Sequence, residues 1–542
     1  MNKKNLLWVM TVTVATVLLC SVLSLGAEPL TIDEYNSMDD DGTLVGSRGA
    51  CAVDDLGNFY IMYGKVVDGV MRKYLNILKP DGNTLVSTHH LIPVINETVF
   101  SGNVVNNSFV IRKGGVVVPF VGEGTEGFGV VWGLFFDTEG NLTDSVCVNC
   151  DMTDQEGLYY NEVKCSSNNS GQTLFIWGAE DHYGSDNDRI FMRIYDTNTR
   201  QLSPVVDPMP LTFPLEGCSV KSEDHRLYNR RVDAQIFDDG SFAVSWIFYS
   251  YLESPSYIRL LYVVYNSDMT PRSDVMIADC IAGYCDSAQC MGGYVQKFSM
   301  AAESSGDFYL AWTSSQPHIF AGSSIHIWMR GFNPDGSPKY DPIRVNDADS
   351  IYIGYDFTNM PNIRCDDNGN VVVGWCDMRH NDISYNGAKM FAQKVDPDGN
   401  LIGINYRINN QGTVPFGGNL ALNNSKQMIF NYVQYDVGSE PEYNSYCQFM
   451  PYDSIGHFAP GDINNDMSAD IADLVTFVNY SFKGESHCFW PRDLVDYNRD
   501  GTNGDIEDLV FLVNYMLRNG PPPPWVPDPG IRPDPGKFDA MQ

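Results

Sequence analysis

The sequence is poor in positive charge and lacks two short motifs that mark common catalytic sites. It has 35 Lys and Arg residues against 68 Asp and Glu residues, so its formal net charge is −33 and its pI is near 4.4. A surface this acidic repels polyanions, which excludes nucleic acid and anionic lipid as partners. Neither a Gly-x-Ser-x-Gly turn nor a His-Glu-x-x-His helix occurs, which excludes the hydrolase sites that those motifs build.

Long apolar runs are also rare, and the one that could span a bilayer lies in the first 27 residues. Two lysines precede this run, and the small residues Ser24, Gly26 and Ala27 follow it. This order predicts an export signal over residues 1–27. The alternative is an uncleaved membrane anchor. We therefore expect the rest of the chain to lie outside the cytoplasm, secreted or at the cell surface.

Twelve of the 13 cysteines follow the predicted signal. In an oxidising compartment an even number predicts disulfides, although the sequence leaves their connectivity open. Cys147 and Cys150 have the spacing of half a zinc site, but no second Cys-x-x-Cys or His pair stands at a matching distance. A disulfide is therefore favoured for this pair.

One short pattern recurs between residues 45 and 456. A turn, with Gly in all copies but the last, is followed by an apolar run that ends in an aromatic residue six positions later. Successive copies are 57, 57, 69, 66, 63 and 57 residues apart. The copies are GNFYIMY (57–63), GGVVVPF (114–120), GQTLFIW (171–177), GSFAVSW (240–246), GDFYLAW (306–312), GNVVVGW (369–375) and KQMIFNY (426–432). A second turn follows each copy, at 79–83, 137–141, 195–199, 265–269, 333–337, 396–400 and 452–456.

This repeat predicts the fold of the larger part of the chain. Runs of β-branched and aromatic residues bounded by Asp-Gly or Asn-Gly are typical of strands joined by tight turns. Two hairpins per repeat make a four-stranded sheet, which cannot bury both of its faces alone. Seven such sheets cover one another when they pack radially and close a ring. The sequence therefore predicts a mainly β fold, a seven-bladed β-propeller of four-stranded blades, over residues 28–456.

The aromatic residue at the end of each second strand indicates packing between blades rather than ligand stacking. A residue that recurs at the same place in every blade is explained most simply by packing that all blades share. These residues are Tyr63, Phe120, Trp177, Trp246, Trp312, Trp375 and Tyr432.

A ligand of the propeller would bind in the central channel, which is lined by the first strand of each blade. The residues that precede the turn glycines place Tyr160, Glu162, Arg231, Asp233 and Lys297 near one mouth of this channel. Two carboxylates with flanking cations and an aromatic ring suit a sugar or uronic acid, and could serve acid–base catalysis. Mutual neutralisation in a structural network explains the same residues. A sialidase-type Asp box is absent, so the sequence assigns no catalytic residue.

Near its C-terminus the chain contains two similar acidic loops, each followed by an apolar pattern of helical period. GDINNDMSADIADLVTFVNY covers residues 461–480, and VDYNRDGTNGDIEDLVFLVNY covers residues 495–515. Oxygen atoms stand at the spacing from which EF-hand-type loops bind Ca²⁺. The predicted ligands are Asp462, Asn464, Asp466, the Ser468 carbonyl, Asp470 and Asp473 in the first loop, and Asp496, Asn498, Asp500, Thr502, Asp505 and Asp508 in the second. Glu507 is the alternative to Asp508 as the last ligand.

The helices that follow the loops are predicted to pack together through one apolar face each. The inward residues are Leu474, Phe477, Val478 and Phe482 in the first helix, and Leu509, Leu512, Val513 and Leu517 in the second.

This duplicated loop and helix resembles the type I dockerin module of bacterial polysaccharide-degrading complexes. The resemblance covers residues 461–520 and implies two bound Ca²⁺ ions and docking onto a cohesin-like module of a scaffold or surface protein. Met467 stands where the family prefers Gly, and a positive φ there costs Met about 1 kcal/mol. The positions that often carry hydroxyl residues in the family hold Ile471-Ala472 and Ile506-Glu507, which puts the partner's identity in doubt.

The expected order is thus a signal peptide (1–27), the propeller (28–456), a dockerin-like calcium-binding domain (457–520) and a Pro-rich disordered tail (521–542). Residues 28–456 also resemble the repeat regions of secreted bacterial β-propeller proteins. We expect a secreted binding protein, tethered through calcium to a cohesin-type partner and linked to polysaccharide binding or breakdown. The alternative is a glycoside hydrolase or polysaccharide lyase with its site in the propeller channel.

Overall fold

The structure is a computed structural model, and the chain divides into two compact units. One unit, Pro29–Ile455, contains all of the described strands, and both described helices belong to the other. The predicted signal and the Pro-rich tail lie outside the described residues. The structure describes residues 30–35, 50–67, 70–79, 85–90, 110–112, 114–123, 129–152, 158–181, 189–208, 225–250, 257–279, 295–315, 325–346, 361–377, 389–408, 418–436, 442–452, 455, 471–483 and 505–518.

The described strands form seven four-stranded antiparallel sheets, which we call blades and number in chain order. Strand β1 (Leu30–Tyr35) precedes blade 1 in sequence. Blade 1 contains β2 (Ala50–Val53), β3 (Phe59–Val67), β4 (Val70–Leu78) and β5 (Leu85–His90). Blade 2 contains β6 (Val110–Arg112), β7 (Gly115–Glu123), β8 (Gly129–Phe136) and β9 (Leu142–Cys147). Blade 3 contains β10 (Leu158–Ser167), β11 (Gln172–Asp181), β12 (Arg189–Asp196) and β13 (Gln201–Leu202).

The remaining blades repeat this order of strands. Blade 4 contains β14 (His225–Ile236), β15 (Phe242–Ser250), β16 (Tyr257–Tyr265) and β17 (Met276–Ile277). Blade 5 contains β18 (Val295–Ala302), β19 (Phe308–Ser315), β20 (Ile325–Phe332) and β21 (Ile343–Arg344). Blade 6 contains β22 (Asn362–Cys365), β23 (Val371–Asp377), β24 (Lys389–Val395) and β25 (Leu401–Arg407). Blade 7 contains β26 (Asn419–Leu422), β27 (Gln427–Asp436), β28 (Glu442–Pro451) and β1.

Blade 7 takes its outer strand from the start of the chain. Strand β1 pairs antiparallel with β28, from Leu30 opposite Cys447 to Tyr35 opposite Tyr443. The turn predicted at residues 452–456 is present, since the Ile455 amide donates a hydrogen bond to the Tyr452 carbonyl at 3.2 Å. The prediction that a fourth strand of the blade follows this turn is wrong, because β1 occupies the free edge of β28.

The first strands of neighbouring blades contact each other, from β2 and β6 through to β22 and β26. They therefore lie innermost, and the outer strands lie at the rim. The prediction of a mainly β fold, with the four-stranded blades of a β-propeller, is confirmed at this level.

Aromatic residues of the second strands fill the space between blades. Trp246 packs in one hydrophobic cluster with Leu174 and Ile176 of blade 3, and Trp312 packs with Phe237 and Ile247 of blade 4. The other described members of the set each join a cluster with the preceding blade: Phe120, Trp177, Trp375 and Tyr432. The packing interpretation is thus confirmed for these six, while the side chain of Tyr63 lies outside the described residues.

Polar turns also join the blades at the end of the first strands. The Asn169 amide donates to the Asp238 carboxylate at 2.9 Å, and the Asn424 amide donates to the Asp367 carboxylate at 2.7 Å. Gly369 closes its turn at a φ of +75°, which Gly adopts without the steric cost of a side chain. The turn residues that identified the repeat therefore also link adjacent blades.

Two helices of 13 residues each follow the propeller, α1 (Ile471–Lys483) and α2 (Ile506–Arg518). Leu474 and Phe477 of α1 pack against Leu512 of α2, as their spacing predicts. The inward orientation predicted for Leu517 is wrong, because its side chain is 59% exposed in the last turn of α2.

No helix among the described residues is long and apolar enough to cross a membrane.

Candidate functional site

The five residues predicted to line the channel lie on the innermost strands of three consecutive blades. Tyr160 and Glu162 belong to β10, Arg231 and Asp233 to β14, and Lys297 to β18. The side chains of Tyr160, Glu162 and Arg231 lie outside the described residues. Asp233 and Lys297 therefore provide the described geometry of this site.

The Asp233 carboxylate connects blades 4 and 5. Its Oδ1 accepts a hydrogen bond from the Ala234 amide at 2.9 Å, and its Oδ2 accepts one from the Met300 amide of β18 at 3.0 Å. Burial raises the pKa of Asp233, while the charges of Lys164 and Arg364 oppose that rise. The structure thus brings cations from blades 3 and 6 into the electrostatic surroundings of this carboxylate.

Lys297 is buried, and its backbone carbonyl accepts a hydrogen bond from the Thr313 hydroxyl at 3.4 Å. Its place on β18 agrees with the expectation that it belongs to the innermost strand.

Polar residues that sequence reasoning missed alternate with core residues along the innermost strands. Lys164, Gln235, Asn362, Arg364 and Asn419 are each partly exposed, whereas their sequence neighbours on the same strands are mostly buried. The Asn362 amide donates to the Asn419 side-chain oxygen at 2.6 Å, which joins blades 6 and 7. A signal for this set exists in the sequence, because Lys164, Asp233 and Asn362 each stand seven residues before a turn glycine.

The cysteines divide into one disulfide and several buried thiols. Cys147 and Cys150 are bonded, as predicted. In the part of the chain that the structure describes, Cys51, Cys165, Cys365 and Cys376 form no disulfide, so the expectation of disulfides is wrong for these four.

Burial explains why these thiols are inert. Cys51 and Cys165 lie within the hydrophobic clusters between blades. Burial raises the pKa of Cys51 to about 12, and it raises the pKa of Cys165 further. Burial therefore disfavours the thiolate form of both residues at neutral pH.

The structure describes three of the twelve predicted calcium ligands, Asp473, Asp505 and Asp508. Within the described segments no group of three or more His, Cys, Asp or Glu side chains is placed to hold a metal. The other nine predicted ligands lie outside the described residues. The described part of the predicted calcium sites is therefore the start of α1 and of α2.

Each helix begins with a buried carboxylate at the same position of the repeat. Asp473 in α1 and Asp508 in α2 are both fully buried. Asp505 caps α2, because its Oδ1 accepts hydrogen bonds from the amides of Glu507 at 2.7 Å and Asp508 at 3.1 Å. The Asp505 amide in turn donates to the Asp508 Oδ2 at 3.2 Å. Glu507 is exposed, so the geometry favours Asp508 over Glu507 as the last ligand of the second loop.

The same two helices expose apolar residues at matching positions. Ile471 is 69% exposed and its counterpart Ile506 is 58% exposed. One turn later, Val475 and its counterpart Val510 are exposed as well. Residues four apart on a helix share a face, so each helix presents a similar small apolar surface.

Comparison with known proteins gives similar structures but no family. No family model matches the chain, and no curated protein matches it. The crystal structure of the polysaccharide lyase Uly1 is similar at 10% identity and a TM-score of 0.46, over 79% of this chain and 95% of that one. An α-L-arabinanase of Penicillium chrysogenum is similar at 10% identity and a TM-score of 0.39, over 79% of this chain and 99% of that one. The β-propeller domain of the Trilobed protease from Pyrococcus furiosus is 8% identical, with a TM-score of 0.38, over 75% of this chain and 99% of that one.

Proposed function

We propose that this protein is an exported, seven-bladed β-propeller that binds polysaccharide in its central channel. A calcium-dependent dockerin-like module at the C-terminus attaches it to a cohesin-like partner. The observation that supports the attachment most directly is the duplication in the two helices, each with a buried carboxylate in its first turn and an exposed isoleucine beside it. The polar residues on the innermost strands support binding in the channel.

Contacts between the last and first blades support closure with seven blades. Strand β26 of blade 7 contacts β2 of blade 1. The Asn423 amide also donates a hydrogen bond to the Asp54 carbonyl at 2.8 Å, which joins the two blades at the end of their first strands. Blades 1 and 7 would not contact each other if the blades did not close into a ring.

The residues present fit calcium. Burying a carboxylate is unfavourable unless hydrogen bonds or a cation offset its desolvation. The N-terminus of a helix offsets part of this cost through its backbone dipole. The preference of Ca²⁺ for six to eight oxygen ligands agrees with the oxygen-rich spacing of the loops. Asp473 and Asp508 would hold the ions from the helix side, and calcium would fix the start of each helix.

Titration of the full chain with Ca²⁺ tests this part of the proposal. We expect isothermal calorimetry to detect two ions in the wild type and one in Asp473→Ala or Asp508→Ala. Glu507→Ala is the matched control and should still bind two. Binding of no calcium by the wild type, or equal loss in Glu507→Ala and Asp508→Ala, would contradict the assignment.

The exposed isoleucines provide the docking surface in this proposal. A partner that binds at these positions would bury them, and full burial of each exposed Ile side chain contributes roughly 1.5–3 kcal/mol of favourable free energy. Because the surface is duplicated, we expect Ile471→Asp with Ile506→Asp to abolish binding to a panel of cohesin modules, while either change alone leaves binding. Leu517→Asp is the control, since Leu517 is similarly exposed but lies outside the duplicated pair. Loss of binding in Leu517→Asp alone would place the interface elsewhere.

A glycoside hydrolase or polysaccharide lyase is the second candidate. The observation that favours it is the raised pKa of Asp233, since carboxyls with raised pKa values near cations are typical of catalytic acids. The test is turnover of a polysaccharide panel by the wild type, Glu162→Gln and Asp233→Asn. Turnover that either change abolishes supports catalysis in the channel. Binding without turnover supports the first candidate.

A further inference from the structure

The charge of the innermost strands is opposite to that of the whole chain. The protein carries a formal net charge of −33. On the described innermost strands, however, basic residues outnumber acidic ones. The basic residues are Arg112, Lys164, Arg226, Arg230, Arg231, Lys297 and Arg364, and the acidic residues are Glu162 and Asp233. Five consecutive blades, 2 to 6, each contribute at least one cation.

Two of these cations stand at positions that a ligand in the channel could reach. Lys164 on β10 and Arg364 on β22 are partly exposed. Their neighbours Val163 and Ile363 are buried in clusters between blades, so by strand alternation the two cations lie on the opposite faces of β10 and β22 from these clusters. They are held on the innermost strands of blades 3 and 6, on different sides of the ring.

Asp233 lies within electrostatic reach of both cations. Both of its oxygens already accept backbone hydrogen bonds, from Ala234 and Met300, which disperse its negative charge. Arg364 uses one described donor on its own strand, where Nη1 donates to the Ile363 carbonyl at 2.7 Å. A guanidinium has five N–H donors in a planar fork that matches a carboxylate, so donors remain for a ligand.

We propose that the channel binds an acidic saccharide, one whose sugar units carry carboxylates, with Lys164 and Arg364 as the residues that select for charge. This rests on the proposed function and specifies the class of polysaccharide. The acidic exterior repels such a ligand at long range, but charges separated by more than about 8 Å are largely screened at physiological salt. Contacts within the channel therefore determine the affinity.

Matched saccharides test the selection for charge. The probes are tetragalacturonate and tetramannuronate, each compared with its uncharged methyl ester, in calorimetric titrations of the full chain. We expect at least one acid to bind about tenfold or more tightly than its ester, because a hydrogen bond to a charged group contributes roughly 1.5–3 kcal/mol. Raising the salt concentration should weaken binding of the acid and leave that of the ester nearly unchanged.

Variants assign the effect to the channel. Lys164→Gln and Arg364→Gln should each weaken binding of the acid about tenfold and change binding of the ester little. Arg344→Gln is the matched control, because it removes the same charge from an exposed position on the outer strand β21 and should leave both affinities unchanged. Equal urea midpoints of unfolding will show that the variants are folded.

The outcomes separate this inference from the proposed function. Esters that bind as tightly as the acids, or channel variants that bind the acid like the wild type, would overturn the selection for charge and leave polysaccharide binding standing. An equal loss in Arg344→Gln would show a general charge effect and overturn the assignment to the channel. Absence of binding by all four probes would overturn the inference, while binding of a neutral polysaccharide in the same assay would preserve the proposed function.

Discussion

Arg193 should stabilise the propeller mainly through backbone carbonyls, not through its ion pair. It is a buried residue of β12, and its guanidinium donates hydrogen bonds to the Val148 carbonyl of blade 2 at 2.8 Å and the Ser203 carbonyl at 2.5 Å. It also donates to both oxygens of Asp151, at 2.6 and 2.8 Å. The perturbation that separates these roles is Arg193→Met compared with Asp151→Ala.

The expected magnitudes differ because the partners differ in exposure. Arg193→Met leaves the Val148 and Ser203 carbonyls without this donor, and a buried polar group that loses its partner costs about 1–3 kcal/mol. The Asp151 side chain is 63% exposed, against 8% for Arg193, so water replaces the arginine around the carboxylate. An exposed ion pair contributes about 0–1 kcal/mol. We expect a loss near 3 kcal/mol for Arg193→Met and at most about 1 kcal/mol for Asp151→Ala.

Urea-induced unfolding of the full chain, followed by tryptophan fluorescence, measures both losses, provided the slope of the transition is unchanged. If Asp151→Ala destabilises the protein as much as Arg193→Met, the ion pair is the important contact and the reasoning is refuted. Blade 5 provides an independent repeat of the design. Arg330 donates to the Tyr340 carbonyl at 2.8 Å and to the Ala278 carbonyl of blade 4 at 3.4 Å, beside an exposed Asp341.

Three further predictions concern backbone space, packing and pH. Gly115→Ala should prevent folding, because the added Cβ would lie 1.9 Å from the Phe136 carbonyl oxygen. Gly114→Ala would meet no atom within 4 Å and should cost about 1 kcal/mol of stability, because Gly114 has a positive φ. Expression yield and the urea midpoint of unfolding compare the two variants. Trp246→Ala should cost roughly 3–5 kcal/mol by the same unfolding assay, since the indole is fully buried between blades. The hydrogen bond from Arg193 lowers the pKa of Asp151 below its ordinary value of 3.8. The free energy of unfolding of the wild type should therefore slightly exceed that of Asp151→Asn at pH 7, and the difference should disappear as the pH falls through the lowered pKa. A difference in the free energy of unfolding that grows as the pH falls would contradict this prediction.

The repeat was predictable because the turn and the strand after it are local features. Asp-Gly turns and apolar runs can each be recognised in about ten residues of sequence, and their regular spacing indicated the four-stranded blades. The outer strand of blade 7 was not predictable in this way. Strand β1 carries no turn signal, and its partner β28 lies more than 400 residues later in the chain, so only the tertiary fold brings them together.

The candidate site was predicted in part for a similar reason. Sequence reasoning placed Asp233 and Lys297 on innermost strands, because the distance to a turn glycine fixes the strand. It missed Lys164, although that residue stands at the same distance from its turn glycine as Asp233. It also missed Arg364, since which residues of an innermost strand stay partly exposed depends on the packing of the neighbouring blades. Leu517 fits the apolar period of α2 but lies in its last turn, where the described part of α1 offers no packing partner. Periodicity therefore identified the face of the helix and overestimated how far the contact extends.

The position of β28 within blade 7 gives the proposed attachment a mechanical consequence. The propeller unit ends at Ile455, shortly after β28, and α1 follows later in the sequence. Strand β28 is hydrogen bonded on both sides, to β27 and to β1, so it is a central strand of its blade. Pulling on the C-terminal module would have to shear β28 from two partners at once, whereas an outermost C-terminal strand could be peeled from one. The pairing of β1 with β28 would therefore, under the proposed function, strengthen the point at which the tether joins the propeller.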